Sequence, residues 1–302
     1  MILEHGFQYF LDPTLLGEKL GYTAVFISDH FMMPENTTTV DPWTTLCALG
    51  ARTKRIRLGS LVTPIPFYQP HVLAKNIVVV DMISQGRALF GAGCGWYEKE
   101  FRAYHIPFYS FRERFEQTLE GLRLMKKLWT ADGPVTFQGR FYQLENAEFM
   151  PKPHQKPHPP IWFGGSSTRI LKAIANLGDG WIPYELPPKI FEKKIRMLKS
   201  FVKDAGRRFE DLIIAISART IMADTEEKVN QVMKALSMKR KVINPSTGQP
   251  MRCICGTPEE IMTQIQQYAD LGASHICIGV QPLDQMNENL SLFWEKVASK
   301  LV

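Results

Sequence analysis

Three places in this 302-residue chain set reactive or ligand-binding residue types at spacings that chemistry can use. The first is Ser28-Asp29-His30, at the end of an apolar run. An imidazole titrates near neutrality, so His30 can take or give a proton. The same pair can equally satisfy loop amides. The second is Gly91-Ala92-Gly93-Cys94-Gly95-Trp96. It fails the dinucleotide fingerprint Gly-x-Gly-x-x-Gly, because Trp96 stands where the last glycine would. Alternating glycines let a flat ring approach the backbone, or make a tight strand-to-helix turn. The third is Gly164-Gly165-Ser166-Ser167-Thr168, just ahead of a helical run. Amides at a helix N-terminus, with hydroxyls beside them, suit a phosphate. Ser and Thr also cap helices with no ligand. The paired glycines favour the phosphate.

Other spacings carry less. The five cysteines, Cys47, Cys94, Cys253, Cys255 and Cys277, are scattered. Cys253-Ile254-Cys255 is Cys-x-Cys, unlike the Cys-x-x-Cys of zinc or thioredoxin-like sites. His154 and His158 are four apart, but Pro153, Pro157, Pro159 and Pro160 exclude the helix that would aim both at one metal. No metal site is expected. The start of the chain carries Glu4 and His5 and no basic n-region, which does not read as a signal peptide. Reduced thiols and a cytoplasmic location follow as expectations.

The elements that must position these residues alternate. Short apolar runs at 6–10, 23–28, 56–62, 87–92, 160–164, 180–183, 212–217 and 274–279 read as strands buried on both faces of a parallel sheet. Helical runs lie between them. Asp41 is an N-cap with Pro42 in the first helical position. At 112–129, Phe115, Leu119, Leu122, Met125 and Leu128 recur on one helical face. Eight such units in about 300 residues favour a (β/α)8 TIM barrel, read as a single domain over 1–302. Two stretches exceed ordinary loops and read as insertions: about 133–159, with a small hairpin at 135–142, and about 239–256, with Pro245, Gly248 and Pro250.

Hydrophobic residues make up 45% and charged residues 22%, as in an ordinary globular chain. No apolar run is long enough for a membrane span. The net charge is +6, but the densest basic run, Met238-Lys239-Arg240-Lys241, has no interleaved aromatics. That reads as a solvated face, and no nucleic-acid partner is expected.

The motifs follow one another in an order that resembles the bacterial luciferase-like superfamily, especially its deazaflavin (coenzyme F420)-dependent branch. The matching stretches are Leu20-Gly21-Tyr22 through Ser28-Asp29-His30-Phe31, residues 58–64, and residues 91–96 with Glu100-Phe101. Pro157-His158-Pro159-Pro160-Ile161-Trp162-Phe163-Gly164-Gly165, Gly178-Asp179-Gly180-Trp181 and Cys255-Gly256-Thr257-Pro258-Glu259-Glu260 continue the series. The resemblance implies a (β/α)8 barrel with a flavin-type ring across its mouth. It implies a non-proline cis peptide at Ser60–Leu61 buttressing that ring. It implies that Asp29, Thr63, Cys94 and Gly95 line the ring, and that Gly164, Gly165, Ser167 and Thr168 take the phosphate. His30 would then be the proton donor or a substrate-orienting group, and a homodimer is common in the family. Two features depart from the pattern. Trp96 stands where sugar-phosphate dehydrogenases of this branch place an acid/base Glu, so it suggests an apolar or aromatic wall and no sugar-phosphate substrate. The first helix, read as 12–20, is shorter than the family habit.

The expected function is therefore deazaflavin-dependent hydride transfer to or from a small organic substrate. A monooxygenase using reduced flavin mononucleotide (FMN) and oxygen is the alternative, since one phosphate site serves both cofactors. A non-catalytic flavin-binding barrel is the third reading, and the Asp29-His30 pair argues against it.

Overall fold

Local sequence signals account for most of the element boundaries in the computed structural model, which describes residues 2–33, 39–243, 248 and 250–301. The chain divides into two compact units, Ile2–Trp162 and Phe163–Val302.

The first unit opens with α1 (Ile2–His5) and α2 (Gln8–Leu20). Residues 6–10, expected as a strand, are therefore helical or turn. The periodicity explains the correction: Leu11, Thr14 and Gly17 are the buried positions of α2, a three-residue step that belongs to a helix. The first helix also begins at Gln8 and not at Asp12. It is pinned to residues 54–56 by Glu18, whose Oε1 accepts from the backbone N–H groups of Lys54, Arg55 and Ile56.

There follow β1 (Ala24–Ile27), α3 (Pro42–Arg52), β2 (Arg57–Ser60), β3 (Thr63–Pro64), α4 (Pro70–Ile83) and β4 (Ala88–Gly93). The N-cap of α3 is Asp41, which accepts from Thr44 N at 2.7 Å. Strand β2 lies between β1 and β4, all three parallel, and β3 adds a second short pairing to β4. Next come α5 (Glu98–Ala103) and α6 (Phe111–Thr130), which buries Phe115, Leu122, Met125 and Leu128 of the expected face and leaves Leu119 half-buried. The insertion at 133–159 carries the antiparallel hairpin of β5 (Val135–Gln138) and β6 (Gln143–Ala147), longer than expected. Glu120 of α6 holds its turn by accepting from Arg140, Phe141 and Tyr142 amides. Strand β7 (Ile161–Phe163) follows, and Pro160 O accepts from Phe90 N at 2.9 Å.

The second unit contains α7 (Thr168–Leu177), β8 (Gly180–Trp181), α8 (Pro188–Asp204), β9 (Ile213–Met222) and α9 (Glu226–Ala235). Then come β10 (Lys241–Ile243), β11 (Pro250–Arg252), β12 (Ile254–Gly256), α10 (Pro258–Asp270), β13 (His275–Val280) and α11 (Met286–Lys296). Strand β9 is the spine. It pairs in parallel with β8, β12 and β13, and Thr220 is partnered by both Ile254 and Val280. This double pairing carries β9 five residues beyond its expected end at 217. The insertion at 239–256 becomes the β10–β11 hairpin and β12; Pro245 lies outside the described residues. Thr257 and Glu260 close a capping box over the start of α10.

Candidate active site

The first unit gathers a polar cluster at the C-terminal ends of its strands, where barrel enzymes place their chemistry. Asp29 and His30 follow β1. His30 Nδ1 lies 2.9 Å from Oε2 of Glu100, a carboxylate side chain only 1% exposed on α5. The other oxygen of Glu100 accepts from the amides of Phe31 and Met32. One buried carboxylate thus fixes both the ring of His30 and the backbone after it. Trp96, itself exposed, sets its ring edge-on to His30 with centroids 6.1 Å apart.

Asp29 is buried, and both its oxygens accept from Tyr68 Oη, at 3.1 and 3.0 Å. Burial pushes its carboxyl up to about 7; the Thr63 and Tyr68 hydroxyls and the charge of His30 oppose the rise. The Thr63 hydroxyl is close enough to Asp29 to act on it, yet is buried without completing a hydrogen bond. Burial and the neighbouring Asp29 hold the Tyr68 phenol far above its ordinary range, so it remains a donor. Burial likewise raises the Cys94 thiol and keeps it neutral.

The Gly91–Trp96 stretch is occupied by the chain itself. A Cβ on Gly91 would lie 2.0 Å from Ser60 O, and one on Gly93 would lie 2.6 Å from Val62 Cγ2. Gly95 has φ +73°, and a Cβ there would strike the Phe101 ring. Gly91 and Gly93 admit the 60–62 segment, and Gly95 admits the Phe101 ring. Ser60 is fully buried, with its hydroxyl directed at Gly91 O at 3.3 Å. The non-proline cis peptide joins Leu61 to Val62, one residue after the expected Ser60–Leu61. Leu61 N still donates to Ile27 O at 3.0 Å, so Leu61 stays tied to β1.

In the second unit, Gly164 and Gly165 lead from β7 into α7. Ser167 is the N-cap of α7 and accepts from Ile170 N at 3.3 Å, while Thr168 is the first helical residue and exposed. Trp181 Nε1 donates to Gly165 O at 2.7 Å and fixes the turn. The hydroxyl of Ser167 is thus engaged as a cap, as its residue type allows without a ligand.

The family resemblance implied a shared site for Asp29, His30, Thr63 and Trp96; in the structure Thr63 acts on Asp29, and Trp96 lies against the neighbouring His30. Sequence reasoning assigned no role to Glu100 or Tyr68. Glu100 stood inside a matching stretch, four residues after Trp96, which was the available signal. Nothing in the sequence ties Tyr68 to Asp29.

Residues 3–275 match the model of the luciferase-like monooxygenase family. The chain belongs to that family. An F420-dependent glucose-6-phosphate dehydrogenase of Amycolatopsis mediterranei (strain U-32) is 27% identical over 94% of this chain and 91% of its own length. An FMNH(2)-dependent dimethylsulfone monooxygenase of Pseudomonas putida is 28% identical over 64% of this chain and 52% of its own. Among solved structures, an F420-dependent secondary alcohol dehydrogenase with an F420-acetone adduct superposes with TM-score 0.82 at 22% identity, covering 97% of this chain and 95% of that one. A coenzyme F420-dependent tetrahydromethanopterin reductase of Methanopyrus kandleri gives 0.80 at 17%, covering 98% and 96%. This luciferase-like chain therefore has the family's α/β barrel fold, with seven of the eight expected barrel strands and helix where the first was expected.

Proposed function

We propose that this luciferase-like protein is an oxidoreductase that uses coenzyme F420 for hydride transfer to or from a small organic substrate. The observation that carries the reading is the His30–Glu100 pair beside Trp96. Backbone donors occupy one oxygen of Glu100, so the other accepts the Nδ1 proton of His30 and leaves Nε2 to exchange a proton with substrate. The ring of Trp96 gives that proton an apolar wall. The residues present fit a flat, polar heterocycle. Thr63 carries a buried hydroxyl without a completed bond, and Asp29 presents a carboxyl that is neutral below about pH 7. Asp29, Thr63, Cys94 and Gly95 would hold the ring; Gly164, Gly165, Ser167 and Thr168 would hold a phosphate. The deazaflavin supplies the two-electron carrier when bound.

Two relatives matched over 91% of their own length are named glucose-6-phosphate dehydrogenases. Trp96 in place of an acid/base Glu argues for a different, less polar substrate here. We place the protein in the cytoplasm as a homodimer. Supporting the dimer, α4 exposes Val72, Val79, Met82 and Ile83 along its length. Among the described residues no helix is long and apolar enough to cross a membrane.

Titration of the protein with coenzyme F420 and with FMN tests the cofactor. Tight F420 binding with weak FMN binding is expected. Preference for FMN, with reduced FMN consuming oxygen, would make the protein a monooxygenase of the dimethylsulfone type.

A further inference from the structure

Cys253-Ile254-Cys255 has no part in the reading above. Both residues are 2% exposed, and their Sγ atoms lie 3.4 Å apart as free thiols. Residues two apart on an extended segment face the same side, so the backbone itself holds the pair together. A disulfide needs about 2.05 Å between sulfurs, leaving roughly 1.4 Å of movement to close.

The two thiols differ. The Cys253 thiol is directed at the carbonyls of Lys239 and Arg240, at 3.7 and 3.6 Å, and at the sulfur of Cys255. Cys255 receives that S–H, and the guanidinium groups of Arg240 and Arg252 add to the effect, so its thiol is held below the ordinary range. The same contact pushes Cys253 up. The pair packs against Ile221, Val229 and Met233, and the Lys239 and Arg240 carbonyls at Cys253 lead directly into β10. Strands β10 and β11 have three residues each and pair only with each other among the described strands. A hairpin of that size is marginal alone and opens locally at little cost.

We propose that Cys253 and Cys255 form a reversible two-electron modification site, closed to a disulfide by a peroxide. The Cys255 thiolate attacks one peroxide oxygen and the O–O bond breaks. The other oxygen takes a proton and leaves as water, or as an alcohol from an alkyl hydroperoxide. The sulfenic acid on Cys255 is then attacked by the Cys253 sulfur. The S–S bond forms, the S–O bond breaks, and water leaves with the Cys253 proton. The two sulfurs together lose two electrons and the peroxide gains them. The site stands independently of the hydride-transfer reading.

Thiol counting on the whole protein tests it. With five cysteines, all free, the reduced protein titrates five thiols after denaturation. After mild hydrogen peroxide it should titrate three, since two are consumed. The 253–255 peptide should lose two hydrogens in mass, and dithiothreitol should restore both readings. Cys253→Ser should stop at a sulfenic acid on Cys255 that dimedone traps. Five thiols remaining after a dose that oxidises the unfolded chain would overturn the proposal. So would a loss mapped to Cys47, Cys94 or Cys277.

Discussion

His30 is useful to a reaction only if one of its ring nitrogens is committed elsewhere. Glu100 does this from α5, and its own second oxygen is committed to the amides of Phe31 and Met32. Replacing His30 by Ala should therefore lower turnover by about 100- to 10,000-fold, the usual range for a positioned proton-transfer group. Glu100→Gln should cost less, about 10- to 100-fold, as for groups that orient a functional histidine. Both should leave the cofactor dissociation constant unchanged. If the Glu100 variant loses binding and turnover together, its role is structural. Asp29 makes a second prediction. Its carboxyl has an ordinary value of 3.8 and is raised by burial to about 7. Between those values the folded chain holds a proton that the unfolded chain has released. Stability must therefore fall as pH rises from about 4 to about 7, then level off. A rise of that size is worth at most a few kcal/mol. Asp29→Asn, which keeps an acceptor for Tyr68, should flatten this slope in urea unfolding between about pH 4 and about pH 7. An unchanged slope would assign it to other groups. Asp29 and His30 were legible because they are neighbours in the chain. Glu100 was not, because its contact with His30 spans seventy residues and exists only once α5 folds over β1.

At the scale of elements, the glycines of β4 belong to packing. A methyl group at Gly91 would meet a backbone carbonyl, which cannot rotate aside. Gly91→Ala should sit at or beyond the upper end of the roughly 1–3 kcal/mol typical of overpacking. Gly133→Ala, where nothing lies within 4 Å of the new carbon, is the matched control. Thermal unfolding of the pair separates them; equal midpoints would show that the 60–62 segment yields. The long parallel strands and amphipathic helices were readable from their periods. Two errors have local causes. Residues 6–10 are rich in aromatics and look like a strand, but the burial of Leu11, Thr14 and Gly17 sets a helical period that begins earlier. Strand β12 has only three residues inside a polar stretch, too few to show a period of two.

For the whole molecule, the family assignment and the barrel class agree with the order of motifs along the chain. Assembly is less legible, since exposed apolar side chains are normal singly and informative only when they line up. On α4, Val72, Val79 and Ile83 fall seven and four residues apart, on one helical face, with Met82 beside them. If that face is the dimer contact, Val79→Lys with Met82→Lys should halve the mass measured by light scattering without changing the circular dichroism spectrum. A mass that stays at two chains would move the contact elsewhere.

The carbonyl of Ser60 sitting where a side chain at 91 would go has a consequence for descent. Positions 60–62 and 91 can only drift together. A library randomised at 91 alone should return glycine from selection on folding, even with every ligand withheld. Randomising 60–62 as well should free it. The glycine pattern is then a record of how two strands are threaded, and relatives that have lost all chemistry should still carry it.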